Sequence, residues 1–132
     1  MNHLEYFQEV NAQKQIDKLA KKYKNKKVVI YGGGAYFNTL KNNFDISKLN
    51  IIGIADKKFE KSKNQNNTPY TTIAPKELIN IDYDVILVSA LNFYQIDEYL
   101  RYQILINEKS KRGKIKKLIK PTFLHILKSF ID

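Results

Sequence analysis

Three stretches of this chain are dominated by consecutive apolar residues: Val28-Val29-Ile30-Tyr31, Asn50-Ile51-Ile52-Gly53-Ile54-Ala55-Asp56 and Val85-Ile86-Leu87-Val88-Ser89. Strands with one solvated face alternate apolar and polar residues, so unbroken runs of this length predict strands buried on both faces, as in a parallel sheet covered by helices. The intervening segments carry a helical period. Residues 3–23 place Leu4, Phe7, Ile16, Leu19, Ala20 and Tyr23 on an interrupted stripe, with Asn2 and Glu5 spaced as a capping pair. Further helices are expected over 35–42 and 95–106, and a short one after Pro121 with Phe123, Ile126, Leu127 and Phe130 on one side. Residues 70–73 and 115–119 read as two further strands, and Pro75-Lys76-Glu77-Leu78 as the first turn of a short helix. Residues 57–68, rich in lysine and asparagine with Phe59 the one large apolar side chain, read as a mobile surface loop. Strands alternating with helices predict an α/β, Rossmann-like, three-layer αβα domain. Its parallel sheet would have about five strands in the order 3-2-1-4-5. The expected layout is one domain over 1–132: an N-terminal helix (1–25), a core (26–119) and a C-terminal helix (120–132).

The first apolar run leads into Gly32-Gly33-Gly34-Ala35-Tyr36-Phe37. A strand, a glycine turn and a helix start together form the entry of a phosphate-binding βαβ unit. The glycines let the backbone turn sharply and approach a ligand, and the first helical turn aims unpaired N–H groups at an anion. In the pattern G-x-G-x-x-G, Gly32 and Gly34 occupy the first two positions and Phe37 replaces the third, so the helix is not expected to pack as closely on the strand. The second run ends at Asp56, 24 residues after Gly32, close to the spacing of about 20 expected of a ribose-binding carboxylate. Lys57 and Lys58 beside it would instead favour a 2′-phosphate, which leaves NAD and NADP both open. The third run ends at Ser89-Ala90-Leu91-Asn92, on the edge where open parallel sheets place ligands. The candidate ligand-binding residues are therefore Gly32, Gly33, Gly34, Ala35, Tyr36, Asp56, Lys57, Ser89, Ala90 and Asn92. The bland alternative is that the glycines make a tight turn, Asp56 caps a loop, and Ser89 and Asn92 cap the next helix.

Composition narrows the chemistry. The chain has no cysteine, and its two histidines, His3 and His125, lie at opposite ends, so neither a thiolate nucleophile nor a metal centre is expected. Its net charge of +10 comes almost wholly from lysine, because only Arg101 and Arg112 of the 23 basic residues are arginine. Lysine lacks the planar fork that reads base edges, so nucleic acid is not the expected partner. No apolar run is long enough to span a bilayer and residues 1–10 lack the order of a secretory signal, which leads to a cytoplasmic expectation. Lys114, Lys116, Lys117 and Lys120 precede the amphipathic tail. Docking of that tail on the core is the first expectation, and contact with anionic lipid the second.

Residues 27–34, 52–56, 75–78 and 82–89 together resemble the small Rossmann-like domains of bacterial surface-polysaccharide (capsule and lipopolysaccharide) biosynthesis proteins. Those domains are similar to the N-terminal parts of nucleotide-sugar dehydratases and epimerases, to the nucleotide-sugar-binding domains of sugar acetyltransferases, or to modules attached to glycosyl- and methyltransferases. The resemblance implies that Gly32, Gly34 and Ala35 lie under phosphates, and Asp56 at the ribose or uridine side, of a nucleotide, NAD(P) or nucleotide-sugar. It also implies a polysaccharide-biosynthesis enzyme or a second copy of the chain as partner. The catalytic Tyr-x-x-x-Lys pair of the short-chain enzymes has no counterpart after the third strand. The one such spacing, Tyr23 with Lys27, precedes the first strand. No catalytic constellation is complete, and the competing expectation is a noncatalytic interaction module that keeps the fold without the ligand.

Overall fold

The computed structural model describes residues 1–61 and 69–131. Five strands, β1 (Val28–Tyr31), β2 (Ile51–Ala55), β3 (Thr72–Ile73), β4 (Val85–Val88) and β5 (Ile115–Lys117), form one sheet in the order β3-β2-β1-β4-β5, with every pairing parallel. The continuous apolar runs occupy the middle of this sheet. All four residues of β1 and all four of β4 are buried, because each strand has a strand on both sides and packed side chains above and below.

Two apolar layers flank the sheet, and alternate residues of each strand feed one or the other. Val28, Ile30, Val85 and Leu87 face a cluster that contains Phe7 and Ile16 of the N-terminal helices and Tyr36, Phe37 and Leu40 of α3 (Ala35–Asn43). Val29, Tyr31, Ile86 and Val88 face Leu78, Leu100, Ile104 and Leu105. The second layer is supplied by a 3-10 turn at Pro75–Asn80 and by α4 (Phe93–Tyr99), which runs on as a π-helical turn over Leu100–Ile104. The result is the three-layer αβα, Rossmann-like architecture.

Several elements depart from their expected form. The N-terminal helix is two helices, α1 (His3–Glu9) and α2 (Ala12–Lys22), because Asn11 takes a left-handed backbone conformation between them. Phe7, Val10, Ala12 and Ile16 can then all reach the core, which one straight helix with that interrupted stripe would not allow. The expected cap holds: the Asn2 side chain accepts from the Glu5 N–H and donates to its carboxylate. Part of the expected loop after β2 is a 3-10 turn, Lys57–Glu60, anchored by buried Phe59; residues 62–68 of that expectation lie outside the described residues. A short helix, α5 (Lys109–Arg112), precedes β5. The tail forms α6 (Phe123–Ile131), but Phe123 and Phe130 point to solvent and not into the core.

Candidate functional site

All five strands run the same way, so β1, β2 and β4 deliver Gly32, Asp56 and Ser89 to one edge of the sheet. The chain leaves β1 towards β2 on one side and returns to β4 on the other, and the two departures open a crevice between them. A cavity of about 390 Å³ occupies this place. Its walls include Gly32, Gly34, Ala35 and Tyr36 from the turn and the start of α3, and Asp56 and Lys57 after β2. Ser89, Ala90 and Asn92 come from the loop after β4. Of the sequence candidates only Gly33 is not part of the lining.

The hydrogen bonds explain why Gly33 turns away. Its N–H donates to Asp56 Oδ2 at 2.9 Å, and its carbonyl accepts from Lys58 Nζ at 2.7 Å. Asp56 Oδ1 also accepts from the Lys58 N–H at 3.1 Å, capping the 3-10 turn. Asp56 is thus first a clasp between the end of β2 and the glycine turn, and the loop-cap alternative holds as geometry. Among the described residues each carboxylate oxygen accepts one such bond, and an ionised carboxylate oxygen can accept a second. Ser89 is tied in the same way, its buried Oγ donating to the Gly32 carbonyl at 2.5 Å.

The three glycines are not equivalent. Gly32 has φ +108°, and a Cβ there would lie 2.7 Å from the Ser89 carbonyl oxygen, so both torsion and space require glycine. Gly34 has a negative φ of −91° and nothing within 4 Å of a notional Cβ. Its lack of a side chain is not needed by the fold; it leaves room in the cavity. At the third position Phe37 is buried against the sheet, packed edge-on to Tyr70, so α3 is spaced from the strands by an aromatic ring where a glycine would allow closer contact.

Four lining residues escaped the sequence reading: Tyr31, Gln95, Ile96 and Tyr99. Gln95 and Tyr99 lie one helical turn apart on α4, a spacing present in the sequence, but nothing in the sequence shows that this face of the helix looks back over the glycine turn. Lys57 Nζ sits 4.0 Å from the centre of the Tyr99 ring, which puts a cation held on an aromatic face at the cavity rim.

Burial holds the Tyr31, Tyr36 and Tyr99 phenols above the usual tyrosine range, with Tyr99 and Asp56 adding to the effect at Tyr31. These phenols stay neutral at physiological pH and can donate hydrogen bonds, but they are poor proton acceptors. Among the described residues that line the cavity there is no histidine, cysteine or glutamate, and Asp56 is the single carboxylate. Its equipment is a helix N-terminus with free N–H groups, one cation, one carboxylate, amides and aromatic faces. Such a set of groups is chemically suited to an anionic, hydroxyl-bearing molecule.

Other candidates fall outside this edge. Lys27 pairs with Asp82 through its side chain and donates its N–H to Asp84 at 2.6 Å, so both aspartates are turn residues at the opposite end of the sheet. Tyr23 and Lys27 belong to that far end as well. Among the described residues no group of three or more His, Cys, Asp or Glu side chains could hold a metal, and no helix is long and apolar enough to cross a membrane.

A family model described as C2185-like, N-terminal, matches residues 24–111. The chain belongs to this family. The C2185-like match opens just before β1 and closes within α5, so it contains the glycine turn, the Asp56 clasp, the loop after β4 and α4, and thereby every residue that lines the cavity. The N-terminal helices, β5 and α6 lie beyond it. No curated protein matches the chain.

Proposed function

We propose that the cavity at the C-terminal edge of β1, β2 and β4 binds a nucleotide, NAD(P) or nucleotide-sugar. On this reading the chain serves bacterial surface-polysaccharide biosynthesis as a cytoplasmic accessory or partial enzyme domain. The observation that carries the reading is the convergence of a glycine turn, the N-terminus of α3, Asp56 and Lys57 on one crevice of about 390 Å³. That volume lies within the range of about 300–1,000 Å³ typical of small-molecule sites. In the assignment, the N–H groups of Ala35 and Tyr36 face phosphate and Lys57 adds charge complementarity. Asp56 accepts from a ribose hydroxyl with its remaining lone pairs, and Gln95 and Asn92 meet the rest of the ligand. The described lining residues supply groups that hold and orient a ligand, and holding it is the role assigned here. Catalysis would fall to a partner, either a polysaccharide-biosynthesis enzyme or a second copy.

Thermal unfolding with NAD, NADP and a panel of UDP-, CMP- and GDP-sugars tests the reading. A ligand present at 100 times its dissociation constant stabilises the native state by about 2.7 kcal/mol, which raises the midpoint by several degrees in a domain of this size. No shift with any of them at millimolar concentration would leave the noncatalytic interaction module as the better account. Asp56 and Ser89, already engaged by the chain's own backbone, suit that account.

A further inference from the structure

Helix α6 sits the wrong way round for a helix docked on a core. At about 100° per residue, Phe123, Leu124, Ile126, Leu127, Phe130 and Ile131 share one broad arc, and His125 and Lys128 lie opposite. It is the polar side that meets the body of the protein. Lys128 Nζ is 3.1 Å and His125 Nδ1 3.5 Å from the Glu9 carboxylate at the end of α1, and the His125 ring packs edge-on to Tyr6. Lys128 and His125 together hold the Glu9 carboxyl below the usual carboxylate range. The approach to the helix is fixed too, since the Gln15 side chain both accepts from and donates to the Lys120 backbone. Phe123, Leu124, Phe130 and Ile131 are consequently 71–83% exposed.

The surroundings of this outward face are apolar and cationic. Leu91, 71% exposed, shares a cavity wall with Met1 and His125 beside the helix. Lys116, Lys117, Lys120 and Arg101 line a groove that reaches Pro121 at the start of α6; its one acid, Asp97, is bonded to Arg101. Lys117 also lies over the exposed Tyr94 ring.

We propose that the outward face of α6, with Leu91 and the neighbouring lysines, is a docking surface for an anionic lipid bilayer, on which the chain rests without crossing it. An interfacial helix needs an apolar face that enters the acyl boundary and flanking cations that meet the headgroups, and this surface supplies both. A second copy fits less well. Self-association through α6 would bring together chains of net charge +10 with their lysine groups beside the contact, whereas acidic lipid attracts them. Leu91 immediately precedes Asn92 of the ligand cavity, so a chain docked in this way would hold the cavity mouth close to the membrane surface.

The test is sedimentation of the whole chain with vesicles of phosphatidylcholine alone and of phosphatidylcholine containing one quarter phosphatidylglycerol. The chain should partition onto the anionic vesicles at least tenfold more strongly than onto the neutral ones. A Phe123→Ser/Phe130→Ser variant should lose at least tenfold of that partitioning, and a Lys116→Gln/Lys117→Gln/Lys120→Gln variant should lose as much. Both should keep a cooperative unfolding transition, because Phe123, Phe130, Lys116 and Lys120 are exposed and Lys117 is only half-buried. Failure to sediment with anionic vesicles overturns the proposal. So does undiminished binding by the serine variant, which would mean nonspecific attraction of a basic protein. A concentration-dependent dimer dissolved by the serine substitutions would instead make a second copy the occupant. None of these outcomes depends on which small molecule fills the cavity.

Discussion

At the residue scale the glycine turn divides between a structural requirement and an open space. Gly32 needs its positive φ, and a methyl group there meets the Ser89 carbonyl oxygen at 2.7 Å. Gly32→Ala should therefore cost about 1–3 kcal/mol of stability, read as a lowered denaturant midpoint at unchanged slope. Gly34→Val should leave that midpoint within about 0.5 kcal/mol of wild type, because its side chain would enter empty space. In return it should abolish the thermal shift with any ligand that stabilises the wild type. Equal loss of stability in the two variants would show that the turn is held otherwise than described. The sequence names all three glycines but cannot rank them: their φ values and neighbours depend on where Ser89 arrives, and Ser89 comes from a strand 57 residues away.

At the element scale the strands were the most legible features. Burial on both faces leaves a compositional trace that helices and turns do not, and β1, β2 and β4 coincide with the apolar runs. The sequence pattern predicts a single N-terminal helix because Asn11 is not itself a breaker. What splits the helix is the demand that both Phe7 and Ile16 reach the core, met by φ 55°, ψ 60° at Asn11. Asparagine tolerates that conformation far better than a β-branched residue. Asn11→Val should accordingly lower stability by about 1–2 kcal/mol, while Asn11→Gly should be close to neutral; thermal unfolding of the two variants side by side decides it.

At the scale of the whole molecule, three buried tyrosines tie stability to alkaline pH. Burial pushes Tyr83 up to about 12, with Glu108 adding to it, and raises Tyr31 and Tyr36 further. In the unfolded chain these phenols ionise near 10. The stability they support is therefore complete below pH 10 and is lost as pH rises towards the folded values, since the unfolded state releases its protons first. Each contributes at most about 1.4 kcal/mol of loss per pH unit. The chemical-denaturation midpoint should be flat from pH 7 to 9 and fall steeply above 10, with phenolate absorbance appearing together with unfolding. Phenolate appearing near pH 10 in the still folded protein would show that these rings are more accessible than the packing implies.

The sequence by itself determined the α/β class, the parallel central strands and their order. All of these follow from local apolar runs, from glycine chemistry and from general rules of strand connection. Only the tertiary structure decided that Gly33 turns away from the cavity, that Asp56 and Ser89 clasp the turn, and that Gln95, Ile96 and Tyr99 close the far wall. It also decided which side of α6 faces out. An amphipathic pattern states that a helix has two faces, but the anchoring carboxylate is Glu9, more than a hundred residues upstream, and no local pattern records that His125 and Lys128 would find it. Periodicity is a property of neighbours in the chain, whereas orientation is settled by partners that meet only on folding.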